Sequence, residues 1–147
     1  MYTIEEFDKE KTRILRYILY KKRTEQEVRN KFENEIEEIL FEDVIEYLKE
    51  ANYINDKEYI EKTVKNYMAL KNLSIREIQH KLSAKGLKRN VIEDYIYENK
   101  EELEEYEIKS AANIIYKKQI SMEIEEIKQF LLKKGYKSDN INKAIEE

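Results

Sequence analysis

The sequence predicts an all-α fold: three tandem three-helix repeats forming an elongated, curved helical array. Three observations carry that prediction. Proline is absent and glycine occurs twice, at Gly86 and Gly135, so the usual punctuation of hairpins and tight turns is missing. Both glycines sit in one local pattern, Leu82-Ser83-Ala84-Lys85-Gly86-Leu87 and Leu131-Leu132-Lys133-Lys134-Gly135-Tyr136, 49 residues apart, which marks an internal repeat. Charged residues make up 41% of the chain and nearly cancel, at a net charge of -4, as on long helices whose solvated faces interleave Lys and Glu.

The first helix of each repeat is read from apolar residues at helical spacing: Ile14, Tyr17 and Ile18; then Ile60, Val64, Tyr67 and Met68; then Ile108, Ala112, Ile115 and Tyr116. The second helix opens on a capping box in Thr24-Glu25-Gln26-Glu27 and, fifty residues on, in Ser74-Ile75-Arg76-Glu77. In the third copy Glu123 takes the cap position. Val28 and Phe32, Ile78 and Leu82, and Ile127 and Leu131 form the apolar stripes that follow. Gly86 and Gly135 end the second and third of these helices, where a left-handed residue is needed and glycine adopts it without a Cβ clash. Third helices follow at Val44, Ile45 and Leu48, at Val91, Ile92 and Ile96, and at Ile141 and Ile145. The repeats so defined are residues 1–56, including a short acidic N-terminal segment, 57–100 and 101–147. Stacked in line, they should exceed the radius of gyration of roughly 15 Å expected for a globule of this length.

Charge follows the same period. Residues 11–31 carry eight Lys/Arg and two Glu, net +6, and residues 33–58 are net -8. Residues 62–89 are net +7, residues 90–107 net -7 and residues 109–137 net +4. First and second helices are therefore basic and third helices acidic. Stacking in one orientation would align the basic turns Lys21, Lys22 and Arg23, Lys71, and Lys117 and Lys118 as an electrostatic stripe. The alternative is that basic and acidic helices neutralise one another within the fold. The central copy departs from that balance, because Arg76, Lys81, Lys85, Lys88 and Arg89 crowd one helix and its exit, and these eleven residues are the candidate partner-binding set.

Other functions find little support. Cysteine is absent, so neither disulfides nor thiolate metal sites are expected. The lone histidine, His80, has no Cys or His partner at metal-ligand spacing and reads as a surface residue. Acidic pairs such as Glu37 and Glu38, or Glu101 and Glu102, read as solvated faces without the apolar pocket a general acid needs. No glycine-rich phosphate loop or nucleophile elbow is present. The expectation is a protein that binds a macromolecule, with no cofactor, metal or catalytic residue. The acidic N-terminus and the lack of an apolar run of about 20 residues point to a cytoplasmic chain, expected as a monomer without membrane contact.

Three stretches resemble the RecX regulators of bacterial recombination. The segment from Arg13 to Phe32 is similar to that family's opening helix, basic turn and acid-capped second helix. Residues 44–59 match its Leu-rich helix, the Gly-Tyr/Leu-Leu/Ile-Asn/Asp-Asp turn and the aromatic helix start, with Asn52 in place of the usual glycine. The segment from Ser74 to Leu87 resembles its Arg-x-Ile-x-x-x-Leu helix ending at Lys-Gly-Ile/Leu. The resemblance extends from about residue 11 to the end of the chain. It implies a modulator, usually an inhibitor, that lies in the groove of the RecA filament on single-stranded DNA and restrains ATP hydrolysis and strand exchange. Contact with single- or double-stranded DNA is left open by it. The acidic net charge, lower than in several family members, shifts the expectation towards contact with protein. Three-helix units with basic second helices are also similar to helix-turn-helix readers, so a module acting on DNA directly is the alternative reading; an adaptor for another filament is a third.

Overall fold

The computed structural model describes residues 1–146 and shows nine α-helices and no strand among them. The helices are α1 (Ile4–Tyr20), α2 (Glu25–Phe32), α3 (Glu38–Glu50), α4 (Asp56–Leu70), α5 (Ile75–Ala84), α6 (Arg89–Glu98), α7 (Lys100–Lys118), α8 (Ile124–Lys133) and α9 (Ser138–Glu146). Their order matches three sets of three. The chain divides into two compact units, residues 1–59 with 85–88, and residues 60–84 with 89–147.

In the first unit α1 packs on α2 and α3. Ile14, Val28, Phe32, Phe41, Val44, Ile45 and Leu48 are the centre of its core, and Tyr2, Phe7 and Tyr17 close the edges. The apolar stripes predicted for these helices are the buried ones. Helix α3 ends at Asn52, whose φ of 66° makes it the only left-handed residue other than glycine among the described residues. Its amide bonds the Lys49 carbonyl and the Tyr53 amide bonds the Leu48 carbonyl. Gly135 and Tyr136 end α8 with the same pair of bonds, to Leu132 and Leu131. Asn52 therefore performs the glycine's task, as asparagine tolerates the left-handed region better than most side chains.

In the second unit α7 packs on α8 and α9, and α5 and α6 pack on α7. Ala111, Ile114, Ile127, Leu131, Tyr136, Ile141 and Ala144 form one core cluster there. Here the sequence register needs correction. On α7 the buried stripe is Leu103, Tyr106, Glu107, Ser110, Ala111 and Ile114, whereas Ile108, Ala112 and Ile115 are half-buried and Tyr116 is exposed. The acidic run 90–107 also is not confined to the third helix, since its second half forms the first two turns of α7.

The starts of α2 and α5 are built alike. Thr24 accepts from the Glu27 amide and Glu27 accepts from the Thr24 amide; Ser74 and Glu77 repeat this reciprocal cap. Each cap hydroxyl then donates, Thr24 to the Lys85 carbonyl and Ser74 to the Lys134 carbonyl, both at 2.7 Å. The residue after each carbonyl is a glycine, with φ of 86° at Gly86 and 97° at Gly135. A Cβ there would lie 2.6 Å from the Gln26 Cβ or 2.8 Å from the Arg76 Cβ. Both glycines thus meet two demands, a left-handed turn and a close approach of the chain to another helix's first turn. The first helical amides, of Glu25 and Ile75, have no partner within their helices and are met by carboxylates, Asp56 at 2.9 Å and Glu107 at 2.7 Å.

Candidate functional site

The candidate basic residues are divided between turns, which hold Lys21, Lys22, Arg23, Lys71, Lys85 and Lys88, and helices, which hold Arg76, Lys81, Arg89, Lys117 and Lys118. In the first unit Lys21 and Lys22 are exposed on the turn between α1 and α2. Lys22 pairs with Glu58 at 3.0 Å. Arg23 is half-buried, its guanidinium 4.0 Å from the centre of the Tyr17 ring, a cation–π contact that fixes it against α1. Beside this turn lies a cleft of about 240 Å³ lined by Ile18, Leu19 and Tyr53 on its apolar side and by Lys22, Arg23 and Glu58 on its polar side. Such a cleft accepts a side chain and is smaller than the roughly 300–1,000 Å³ of pockets that enclose small molecules. Lys85 is half-buried and Lys88 exposed. Burial raises the Asp56 carboxyl above its ordinary range, while the Glu25 amide and the charges of Lys49 and Lys88 pull the other way.

In the second unit Arg76 and Lys81 are exposed on α5 and make no ion pair among the described residues. The stem of Arg76 covers Gly135, so this side chain serves the packing as well as the surface. Arg89 reaches Glu93 at 2.7 Å, an acid one turn away on α6. The pair is largely exposed and leaves the arginine available. Lys71 lies 5.7 Å from the Tyr67 ring and Lys118 lies 4.2 Å from the Phe130 ring, while Lys117 is exposed. Asn113 donates to Asn72 at 3.1 Å, which sets the Lys71 turn against the α7 face that carries Lys117 one turn further on.

The fold therefore brings Lys22 and Arg23 to one cleft, with Lys21 next to them in the chain, and sets the Lys71 turn against α7. It distributes the eleven residues over both units. Positions missed by the sequence reading are the exposed apolar residues Tyr20, Leu70 and Ile120 at the ends of the first helices. Their spacing of fifty residues was available as a signal. It was masked because a large apolar residue at a helix end reads as core. Among the described residues no group of His, Cys, Asp and Glu is placed to hold a metal ion, and no helix is long and apolar enough to cross a membrane.

No protein-family model matches the chain. Similarity to individual proteins is extensive. "Regulatory protein RecX" of Staphylococcus haemolyticus is 36% identical over 140 residues, 90% of this chain and 51% of that protein. The protein of the same name from Staphylococcus carnosus is 35% identical over 138 residues, again 90% and 51%. That of Clostridium perfringens strain SM101 is 32% identical over 148 residues, 96% of this chain and 69% of that protein. The chain thus spans about half the length of the staphylococcal relatives it matches. Among solved structures, the crystal structure of RecX from Lactobacillus salivarius superposes with a TM-score of 0.83 at 26% identity, covering 98% of this chain and 97% of that one. A second RecX crystal structure gives a TM-score of 0.81 at 22% identity, covering 97% and 72%, and bears on the fold alone. From the clostridial identity over 69% of that protein's length, with the helical architecture in agreement, the chain belongs to the RecX family of regulatory proteins.

Proposed function

We propose that this chain binds the RecA recombinase filament on single-stranded DNA and modulates it, restraining ATP hydrolysis and strand exchange. The observation that carries the reading is the state of the candidate cations. Of Lys21, Lys22, Arg23, Lys71, Arg76, Lys81, Lys85, Lys88, Arg89, Lys117 and Lys118, only Lys22 and Arg89 form ion pairs among the described residues. The remainder form no close ion pair with the acidic helices, which favours an outward-facing role over internal charge balance. Membership of a family of regulatory proteins supports the same reading. The residues act by contact, presenting charge on turns and helix faces to an acidic protein face or to phosphate. The three repeats, residues 1–56, 57–100 and 101–147, are proposed as successive contact units for a partner that itself repeats.

The test is a comparison of affinities. Binding to RecA assembled on single-stranded DNA with a non-hydrolysed nucleotide should be tighter than binding to the naked strand. Its salt dependence should be shallower than the slope of a protein that neutralises several phosphates. Equal affinity for the two, with a steep salt slope, would favour the helix-turn-helix alternative.

A further inference from the structure

Each turn leading from a first helix into a second holds a large apolar side chain out in solvent. Tyr20 is 87% exposed, Leu70 80% and Ile120 90%. They stand fifty residues apart; Tyr20 and Leu70 each lie four residues before a cap, Thr24 and Ser74, and Ile120 lies three before Glu123. Lys21 and Lys71 directly follow the first two, and Lys117 and Lys118 lie three and two residues ahead of Ile120. Single exposed apolar residues are ordinary on a protein surface. Large ones that return at the same place before the caps of α2 and α5, and within one residue of it before α8, are not scattered.

The turns are also firm. In the second, the Tyr106 hydroxyl donates to the Lys71 carbonyl at 2.6 Å and accepts from the Leu73 amide at 2.9 Å, clamping the backbone beside Leu70. In the third, the amides of Ser121 and Met122 both bond the Lys118 carbonyl, closing the turn around Ile120. The first is held by the buried Thr24 cap and by Arg23 on Tyr17. Side chains on such a backbone lose little freedom on association, the condition for effective contact residues.

Chemistry selects the kind of partner. A nucleic-acid base stacks on an aromatic ring, and only Tyr20 of the three supplies one. A phosphate needs the lysine and gains nothing from an isoleucine or a leucine beside it. An apolar tip next to an ammonium fits a protein surface with an apolar pocket and a carboxylate at its rim.

We propose that the turns bearing Tyr20, Leu70 and Ile120 are protein-contact modules, the first two equivalent and the third offset by one residue, each seating its apolar side chain in an acid-rimmed apolar pocket on the partner protein. This rests on the reading that the partner is the recombinase filament, and it specifies what the protein subunits of that filament must present. The test combines Tyr20→Ser, Leu70→Ser and Ile120→Ser in the full chain and measures affinity for the RecA filament and for naked single-stranded DNA, at low and raised salt. Because all three side chains are exposed, the helical circular dichroism should match the wild type. Filament affinity should fall by at least about tenfold, as when buried contact residues are truncated. The loss should persist at raised salt and leave binding to naked DNA unchanged. A second variant, Tyr20→Phe, Leu70→Met and Ile120→Leu, keeps apolar tips and should bind as the wild type does. A serine variant that binds the filament with wild-type affinity overturns the assignment of the turns alone. Parallel loss on filament and naked DNA overturns it in favour of nucleic-acid contact. Wild-type protein that ignores the filament overturns the functional reading, and this assignment with it.

Discussion

The starts of α2 and α5 solve one packing problem twice, with the same parts in all positions but one. Thr24 and Ser74 each cap a helix and reach out to a carbonyl; Gly86 and Gly135 each make room for the side chain two residues past that cap. The carboxylates differ. Asp56, the first residue of α4, takes the Glu25 amide with one oxygen and is half-buried. Glu107, in the middle of α7, is fully buried; one oxygen takes the Ile75 amide, and the other takes the Lys137 amide at 2.8 Å and the Asn140 side-chain amide at 3.0 Å. In the second unit a single carboxylate therefore ties the starts of α5 and α9 to α7. The hydroxyl and the glycine are fixed by local backbone geometry, while the acceptor is free to come from wherever a first helix passes, provided it brings a charge to a helix N-terminus.

Substitutions in the two regions sharpen this comparison. The largest effect is expected in the cores beneath the glycines, where Leu82 and Leu131 are both fully buried at equivalent positions. Replacing either with Ala should cost about 2–5 kcal/mol in urea unfolding. A change under about half a kcal/mol at one of them would break the equivalence of α5 and α8.

Gly86→Ala and Gly135→Ala come next. Left-handed strain of about 1–2 kcal/mol adds to overpacking of about 1–3 kcal/mol against Gln26 or Arg76. Thermal unfolding should show similar losses at the two sites if the joints are alike. Gly86→Val should be worse than Gly86→Ala, because a β-branched residue is a stronger outlier at positive φ.

The carboxylates should then behave differently. Glu107→Gln places an amide NH2 against backbone donors that both carboxylate oxygens now satisfy, and should cost about 1–3 kcal/mol. Asp56→Asn retains the one acceptor oxygen in use and should change stability at neutral pH by less than about half a kcal/mol. Since burial raises the Asp56 carboxyl above its ordinary value, this group favours the fold at acidic pH, and that contribution is lost as pH rises through its folded value. Stability measured against pH should therefore lose this component in Asp56→Asn. Comparable losses from Asp56→Asn and Glu107→Gln at neutral pH would mean that the two joints do not differ as their hydrogen bonds indicate.

What the sequence disclosed, and what it did not, follows the same line. Caps, glycine stops and the stripes of α2, α3 and α5 were legible because they depend on residues close in the chain. Asn52 was recognisable as a glycine substitute from the resemblance to the RecX turn. Glu107 was not, since an acid within an acidic run reads as solvated until a distant backbone is seen to donate to it. The register of α7 slipped with it, because a buried stripe containing Glu107 and Ser110 has no apolar period there. At the candidate site the exposure of most lysines was foreseeable from charge segregation. The stacking of Arg23 on Tyr17 and the pairing of Arg89 with Glu93 depend on rotamers and helix register that charge counting does not supply.

The central claim, that the basic surfaces serve a recombinase filament, is most directly tested by titrating the wild-type chain and a Lys81→Glu, Lys85→Glu, Arg89→Glu variant into ATP hydrolysis by RecA on single-stranded DNA. The three side chains lie at the surface or half-buried, and such substitutions shift stability by only about half a kcal/mol each, so the melting temperature serves as the control for folding. The wild type should suppress hydrolysis at amounts stoichiometric with filament subunits, and the variant should lose that effect while remaining helical. Unchanged hydrolysis with the wild type, or suppression by the variant at wild-type potency, would contradict the account.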